Sequence, residues 1–111
     1  MRKGENMNKL STKNLDEMKK NEFALVDFFA TWCGPCMFMK PFFEKAENKL
    51  NQMGVVCYEL NVDESEQFAS ANKIQFVPTV ILFKKGEEVA RFTGAKDEEG
   101  IIDFVAKSIV K

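Results

Sequence analysis

The chain has 111 residues, 45% of them hydrophobic and 30% charged, which is enough for one hydrophobic core and not for two. A formal charge of -1 gives nucleic acid and anionic membrane surfaces no electrostatic hold, and no apolar run reaches the length of a membrane span. Three cysteines are too few, and odd, for the disulfide framework of a small secreted domain.

The opening MRKGENMNKL has positive charges but no apolar stretch behind them, so it does not read as a secretory signal. Residues 1–7 are expected to form a flexible extension ahead of a domain over residues 8–111. Leu10-Ser11-Thr12 followed by KNLDEMKK predicts an N-capped short helix with Leu15 and Met18 on one face. FALVDFFA, residues 23–30, is a nearly continuous apolar run of strand length, the pattern of a strand buried on both faces. From Cys33 a helix is predicted to about Asn51, with Phe38, Phe42, Ala46 and Leu50 as its apolar stripe and a kink at Pro41. Gly54 ends it. VVCYELNV, 55–62, is the next strand, and ESEQFASANK a short helix after Asp63. TVILFKK and EEVARFTG form a hairpin around Gly86. The closing segment DEEGIIDFVAKSIVK is a helix, with acids early, lysines late and a stripe of Ile101, Ile102, Val105 and Ile109. The order βαβ, α, ββα implies an α/β domain: a parallel element joined to an antiparallel hairpin in one mixed sheet covered by helices.

TWCGPC, residues 31–36, sits between the buried strand and the long helix. A helix N-terminus offers partial positive charge and unsatisfied N–H groups, which favour a thiolate over a thiol. Pro35 suits a first helical turn, where its missing N–H costs nothing, and Gly34 lets another backbone approach. Cys33 therefore reads as the exposed attacking nucleophile, and Cys36, one turn inside, as the shielded thiol that resolves a mixed disulfide. A structural metal site is the rival reading, but three cysteines and no histidine leave the ligand set short without carboxylates. Cys57 reads as a small buried hydrophobe on its strand.

ALVDFFATWCGPC, then Pro41, LNVD, FVPT, ILFKKGE and FTGA, in that order over roughly residues 10–110, resembles the thioredoxin family. The resemblance implies a single-domain thioredoxin fold, a central mixed sheet of four to five strands flanked by about four helices. It implies reduction of protein disulfides, with an NADPH-dependent flavoprotein thioredoxin reductase and disulfide-containing proteins as partners. No cofactor or metal of the chain's own is expected, nor nucleic acid or membrane; the expected state is a cytoplasmic monomer. Cys33 and Cys36 match the redox pair, Trp32 the flanking indole, Pro78 the cis-proline facing the disulfide, and Asp27 the buried acid that accepts or donates a proton. Val77, Gly94 and Ala95 match the apolar docking surface.

The sequence departs from the family pattern at a few positions. Thr31 and Phe29 replace residues often seen there. Met37 stands where a basic residue is frequent; with Trp32, Phe76 and Val77 it is expected to enlarge the apolar docking face. Glu59 replaces a frequent lysine near the buried acid, which questions a charge-paired Asp27. A scaffold subunit without catalysis, or a relative working as isomerase, oxidant or maturation reductase, are the competing classes. Intact cysteines speak against the first. Gly-Pro between them, rather than the Gly-His common in isomerases, speaks against the second.

Overall fold

The computed structural model describes residues 8–110; the expected flexible extension at residues 1–7 lies outside them. Nine elements follow in chain order: β1 (Asn8–Lys9), α1 (Leu15–Lys20), β2 (Phe23–Phe29), α2 (Gly34–Gln52), β3 (Val55–Asn61), α3 (Glu66–Ala71), β4 (Thr79–Lys84), β5 (Glu87–Thr93) and α4 (Glu98–Ser108). The five strands form one mixed sheet in the order β1-β3-β2-β4-β5. β2 runs parallel to β3 and antiparallel to β4, and β4 and β5 make the hairpin.

The apolar run of β2 has a core on each side. Alternation sends Leu25 to one face, where it packs with Met39, Phe43, Ala46 and Leu50 of α2 and with Ile101 and Val105 of α4. Val26 and Phe28 point the other way, to Met18 of α1 and Ala69 of α3. Phe28 stacks on Phe68, with ring centroids 5.9 Å apart. The β4–β5 turn needs Gly86: Lys85 and Gly86 have φ of 52° and 84°, so both central residues are left-handed, as the tightest hairpin turns require.

Three differences from the sequence reading bear on the packing. β1 was not anticipated, because Asn8 and Lys9 are polar and both exposed. It is held by backbone pairing to Tyr58 and Glu59, by Leu10 N–H to the Glu59 carbonyl at 2.8 Å, and by the Asn8 side chain to the Cys57 carbonyl at 3.1 Å. α1 starts at Leu15 rather than just after Thr12, because Ser11 N–H donates to Asn14 Oδ1 and Lys13 N–H to Ser11 Oγ, closing a turn ahead of the helix. The buried face of α2 is Cys36, Met39, Phe43, Ala46, Glu47 and Leu50: Ala46 and Leu50 of the expected stripe belong to it and Phe42 packs at its edge, but Phe38 does not. Phe38 is 61% exposed. Residues 36–43 are apolar at nearly every position, so spacing alone leaves the register of this face undetermined. The helix continues through Pro41, whose ring nitrogen gives no hydrogen bond to the Met37 carbonyl.

This corrected face has a measurable consequence. Phe43→Ala should cost about 3–5 kcal/mol of unfolding free energy in urea titration, the usual loss for a buried phenylalanine. Phe38→Ala should cost less than about 1 kcal/mol. The reverse order would restore the Phe38 stripe.

Candidate active site

β2 leaves the sheet at Phe29 and turns through residues 30–33, with Cys33 N–H donating to the Ala30 carbonyl at 3.3 Å. Cys33 is then the N-cap of α2, and Pro35 lies in its first turn. The two cysteines form the Cys33–Cys36 disulfide. Cys36 N–H donates to Cys33 Sγ at 3.2 Å, so an orphan donor of the helix start is directed at the sulfur. In a reduced pair the same donor and the helix dipole lower the cost of a Cys33 thiolate.

Burial corrects one detail. Cys33 is 5% exposed and Cys36 1%, so the first cysteine is the less covered of two buried residues rather than an exposed one. The Ala30, Phe29, Val62 and Val77 side chains close around the pair. Gly34 and Pro35 are exposed, and a Cβ at Gly34 would meet nothing within 4 Å, which leaves room there for an approaching chain.

Two loops frame the sulfurs. The Val77–Pro78 peptide is cis, and Cys33 Sγ lies 3.6 Å from the Val77 carbonyl oxygen. Thr79 Oγ1 donates to the Phe76 carbonyl at 2.6 Å, bracing this loop from behind. Gly94, at φ 94°, donates its N–H to the Pro78 carbonyl at 2.9 Å, which brings the exit of β5 to the same end of the molecule; Ala95 beside it is exposed. Around the pair stand Trp32, Phe76 and Met37, with 70%, 67% and 39% of their surface exposed. The Trp32 indole N–H donates to Asp63 Oδ2 at 2.9 Å, so this large exposed ring has a fixed orientation. Sequence reasoning missed Asp63; it was visible in LNVD but had no partner until the fold brought it to Trp32.

Asp27 sits on β2 facing α2, 4% exposed, and its Oδ1 has no hydrogen-bond partner among the described residues. Burial pushes its carboxyl from an ordinary 3.8 up to about 7, Glu59 adds to the rise, and Lys40 opposes it. Glu59 is the register partner of Asp27 on β3. The cation missing from position 59 arrives from another element: Lys40 of α2 meets Glu59 Oε1 at 3.0 Å and lies 5.9 Å above the Phe29 ring. Asp27 therefore has a carboxylate and an ammonium in its electrostatic surroundings. The lysine was not singled out in the sequence, because nothing in the spacing of Lys40 and Glu59 announces their contact.

Cys57 is fully buried on β3, and burial, then Glu47, pushes its thiol far above the usual range. No group of histidine, cysteine and carboxylate side chains suited to a metal occurs among the described residues, and none of their helices is long and apolar enough to cross a membrane.

The family model described as Thioredoxin matches residues 6–107. The thioredoxin of Chlamydia pneumoniae is 39% identical over 98 residues, covering 88% of this chain and 94% of its own. The human thioredoxin is 40% identical over 79 residues, 71% of this chain and 73% of its own. Among solved structures, a mutant thioredoxin from Halobacterium salinarum NRC-1 superposes with a TM-score of 0.81 at 30% identity, covering 97% of this chain and 95% of that one. A Plasmodium falciparum thioredoxin gives 0.82 at 29% identity over 91% and 98%. With its Cys33–Cys36 pair at the start of α2, the chain belongs to the thioredoxin family of dithiol–disulfide oxidoreductases.

Proposed function

We propose that this chain is a protein-disulfide reductase that works through Cys33 and Cys36 in the cytoplasm as a monomer and is recharged by an NADPH-dependent thioredoxin reductase. The observation that carries the reading is the seat of Cys33 Sγ, which accepts the Cys36 N–H at the helix start and faces the Val77 carbonyl across the cis-proline loop.

In the reducing direction the Cys33 thiolate attacks one sulfur of a target disulfide. The target S–S bond breaks, a Cys33–target bond forms, and the other target sulfur leaves as a thiolate that takes up a proton. An extended target segment pairs with the Val77 backbone as a short added strand, with Trp32, Met37, Phe76, Pro78, Gly94 and Ala95 around it. Cys36 then loses its proton and attacks Cys33 Sγ, which expels the second target thiol. The protein is left as the Cys33–Cys36 disulfide, and two electrons have passed to the target. Asp27, poised near neutrality by its burial, is the proposed acceptor of the Cys36 proton. Two electrons and two protons from the reductase restore the dithiol.

Reduction of insulin disulfides in the presence of a thioredoxin reductase and NADPH tests the reading. Cys33→Ser should fall to background, Cys36→Ser should accumulate mixed disulfides, and iodoacetamide should label Cys33 before Cys36 near neutral pH. Preferential labelling of Cys36, read by mass spectrometry, would reverse the two roles.

The Asp27 carboxyl makes stability depend on pH with a definite sign. Below about pH 4 it is protonated in both the folded and the unfolded chain. Between about 4 and 7 the unfolded chain gives up the proton while the folded one holds it, so stability falls as pH rises. The loss reaches at most about 4 kcal/mol above pH 7. Asp27→Asn escapes it: denaturant titrations should show wild type and variant converging near pH 4 and diverging in favour of the variant towards pH 8. The same variant should release mixed disulfides more slowly, by up to about 10²-fold. An unchanged release rate would make Asp27 a structural acid only. Glu59→Lys should lower the Asp27 pKa in an NMR titration, since it replaces a carboxylate by a cation at the register position.

A further inference from the structure

Phe42 lies on α2 one turn beyond Phe38, and the two rings meet edge to face with centroids 5.3 Å apart. Beyond them, α2 and the first half of α4 leave a groove of about 610 Å³ between their surfaces. Its floor is apolar, made by Phe42, Ile102 and Ala106; every charged residue on its walls is acidic, namely Asp97, Glu98, Glu99 and Asp103. Some of this charge has local work: Asp97 Oδ1 caps α4 by accepting the Gly100 N–H at 2.8 Å, and Asp103 pairs with Lys107 at 3.1 Å. Glu98 and Glu99 have no ion-pair partner among the described residues. The Gly94–Pro78 hydrogen bond ties the chain just ahead of α4 to the cis-proline loop. Met37 and Phe38, both exposed, stand on α2 between the disulfide and Phe42, and Phe38 is in ring contact with Phe42.

An apolar floor with walls of one sign selects for its complement. A neutral ligand would gain no charge attraction from the carboxylates, and an acidic segment would be repelled. We propose that the α2–α4 groove is a second docking site, for an amphipathic segment of a partner protein that presents apolar anchors flanked by lysine or arginine. The anchors lie on Phe42, Ile102 and Ala106, while the cations face Glu98 and Glu99. Such a segment binds beside the redox pair, leaving the sulfurs free for a disulfide elsewhere on the same partner. The second contact then raises the effective concentration of that disulfide at Cys33.

The test uses the oxidised protein and a cysteine-free helical peptide of about twelve residues, with leucine at i, i+3, i+4 and i+7 and lysine between. A matched peptide with glutamate in place of lysine is the control. NMR titration should shift the resonances of Phe42, Ile102 and Ala106 with the lysine peptide and leave them unmoved with the glutamate peptide. The double variant Glu98→Gln/Glu99→Gln should weaken the lysine peptide by about fivefold, the combined worth of two rim charges. Ala106→Lys should weaken it further. Reduction of a small aromatic disulfide by the reduced variants should match wild type, which certifies their fold and redox pair. Equal binding of both peptides, shifts confined to Trp32 and Phe76, or no binding at millimolar peptide would each overturn the proposal. So would concentration-dependent shifts of the groove without peptide, which would name a second copy of the chain as the occupant. No electron transfer enters the peptide assay, so its failure and a failure of the reductase reading remain separate results.

Discussion

A strand with a core on both faces needs a hydrogen-bonding neighbour on each edge and a layer of helices on each side. β2 meets that condition with β3 and β4 at its edges, α2 and α4 on one face, and α1 and α3 on the other. Every other element can be described by where it stands relative to this strand. Its burial also fixes the position of the chemistry. The polypeptide must leave the sheet at the end of β2 and return over it as α2, and the cysteines lie where that exit loop becomes the first turn of α2. The rigidity of the centre is thereby passed to the start of α2, where the two sulfurs are held in one place.

The same strand carries a residue that opposes its own burial. Asp27 replaces an apolar side chain in the α2-facing row, and the fold surrounds it with an arrangement that neither neutralises nor fully isolates it. Glu59 and Lys40 hold each other at 3.0 Å, so the local charge largely cancels while the desolvation of Asp27 remains. A carboxyl in that setting is destabilising for the fold, and the proton transfer proposed for it gives that cost a use. Such conflicts between stability and chemistry are expected at working sites.

Legibility in the sequence followed how local each feature is. FALVDFFA announced a doubly buried strand because no other short element tolerates so continuous an apolar run. TWCGPC announced a helix start because proline and the capping position constrain each other. The hairpin turn was visible in Gly86. Features that depend on two distant segments were not legible. Lys40 and Glu59 are nineteen residues apart and meet only because α2 crosses β3 at that height. Asp63 and Trp32 meet for a similar reason. The two residues of β1 carry no strand signal, since they are polar and exposed and are held by backbone pairing and one Asn8 side-chain hydrogen bond to the distant β3. The face of α2 failed for the opposite reason, an excess of signal: with Cys36, Met37, Phe38, Met39, Phe42 and Phe43 so close together, several stripes fit equally well. The burial of Cys33 depends on the Val77 loop folding over it, which no stretch around the cysteine reveals.

Cys57 gives the arrangement a property that belongs to the chain as a whole. A molecule that cycles between dithiol and disulfide with a third sulfur within its own fold risks storing its oxidising equivalents in the wrong bond. Here that sulfur lies inside the sheet layer, its proton held tightly by burial and by the nearby Glu47 carboxylate, so it has almost no thiolate with which to compete. The burial of Cys57 thus favours a two-position register, the dithiol and the Cys33–Cys36 disulfide. Loosening the packing over β3 would open that thiol to exchange and so add states to the register.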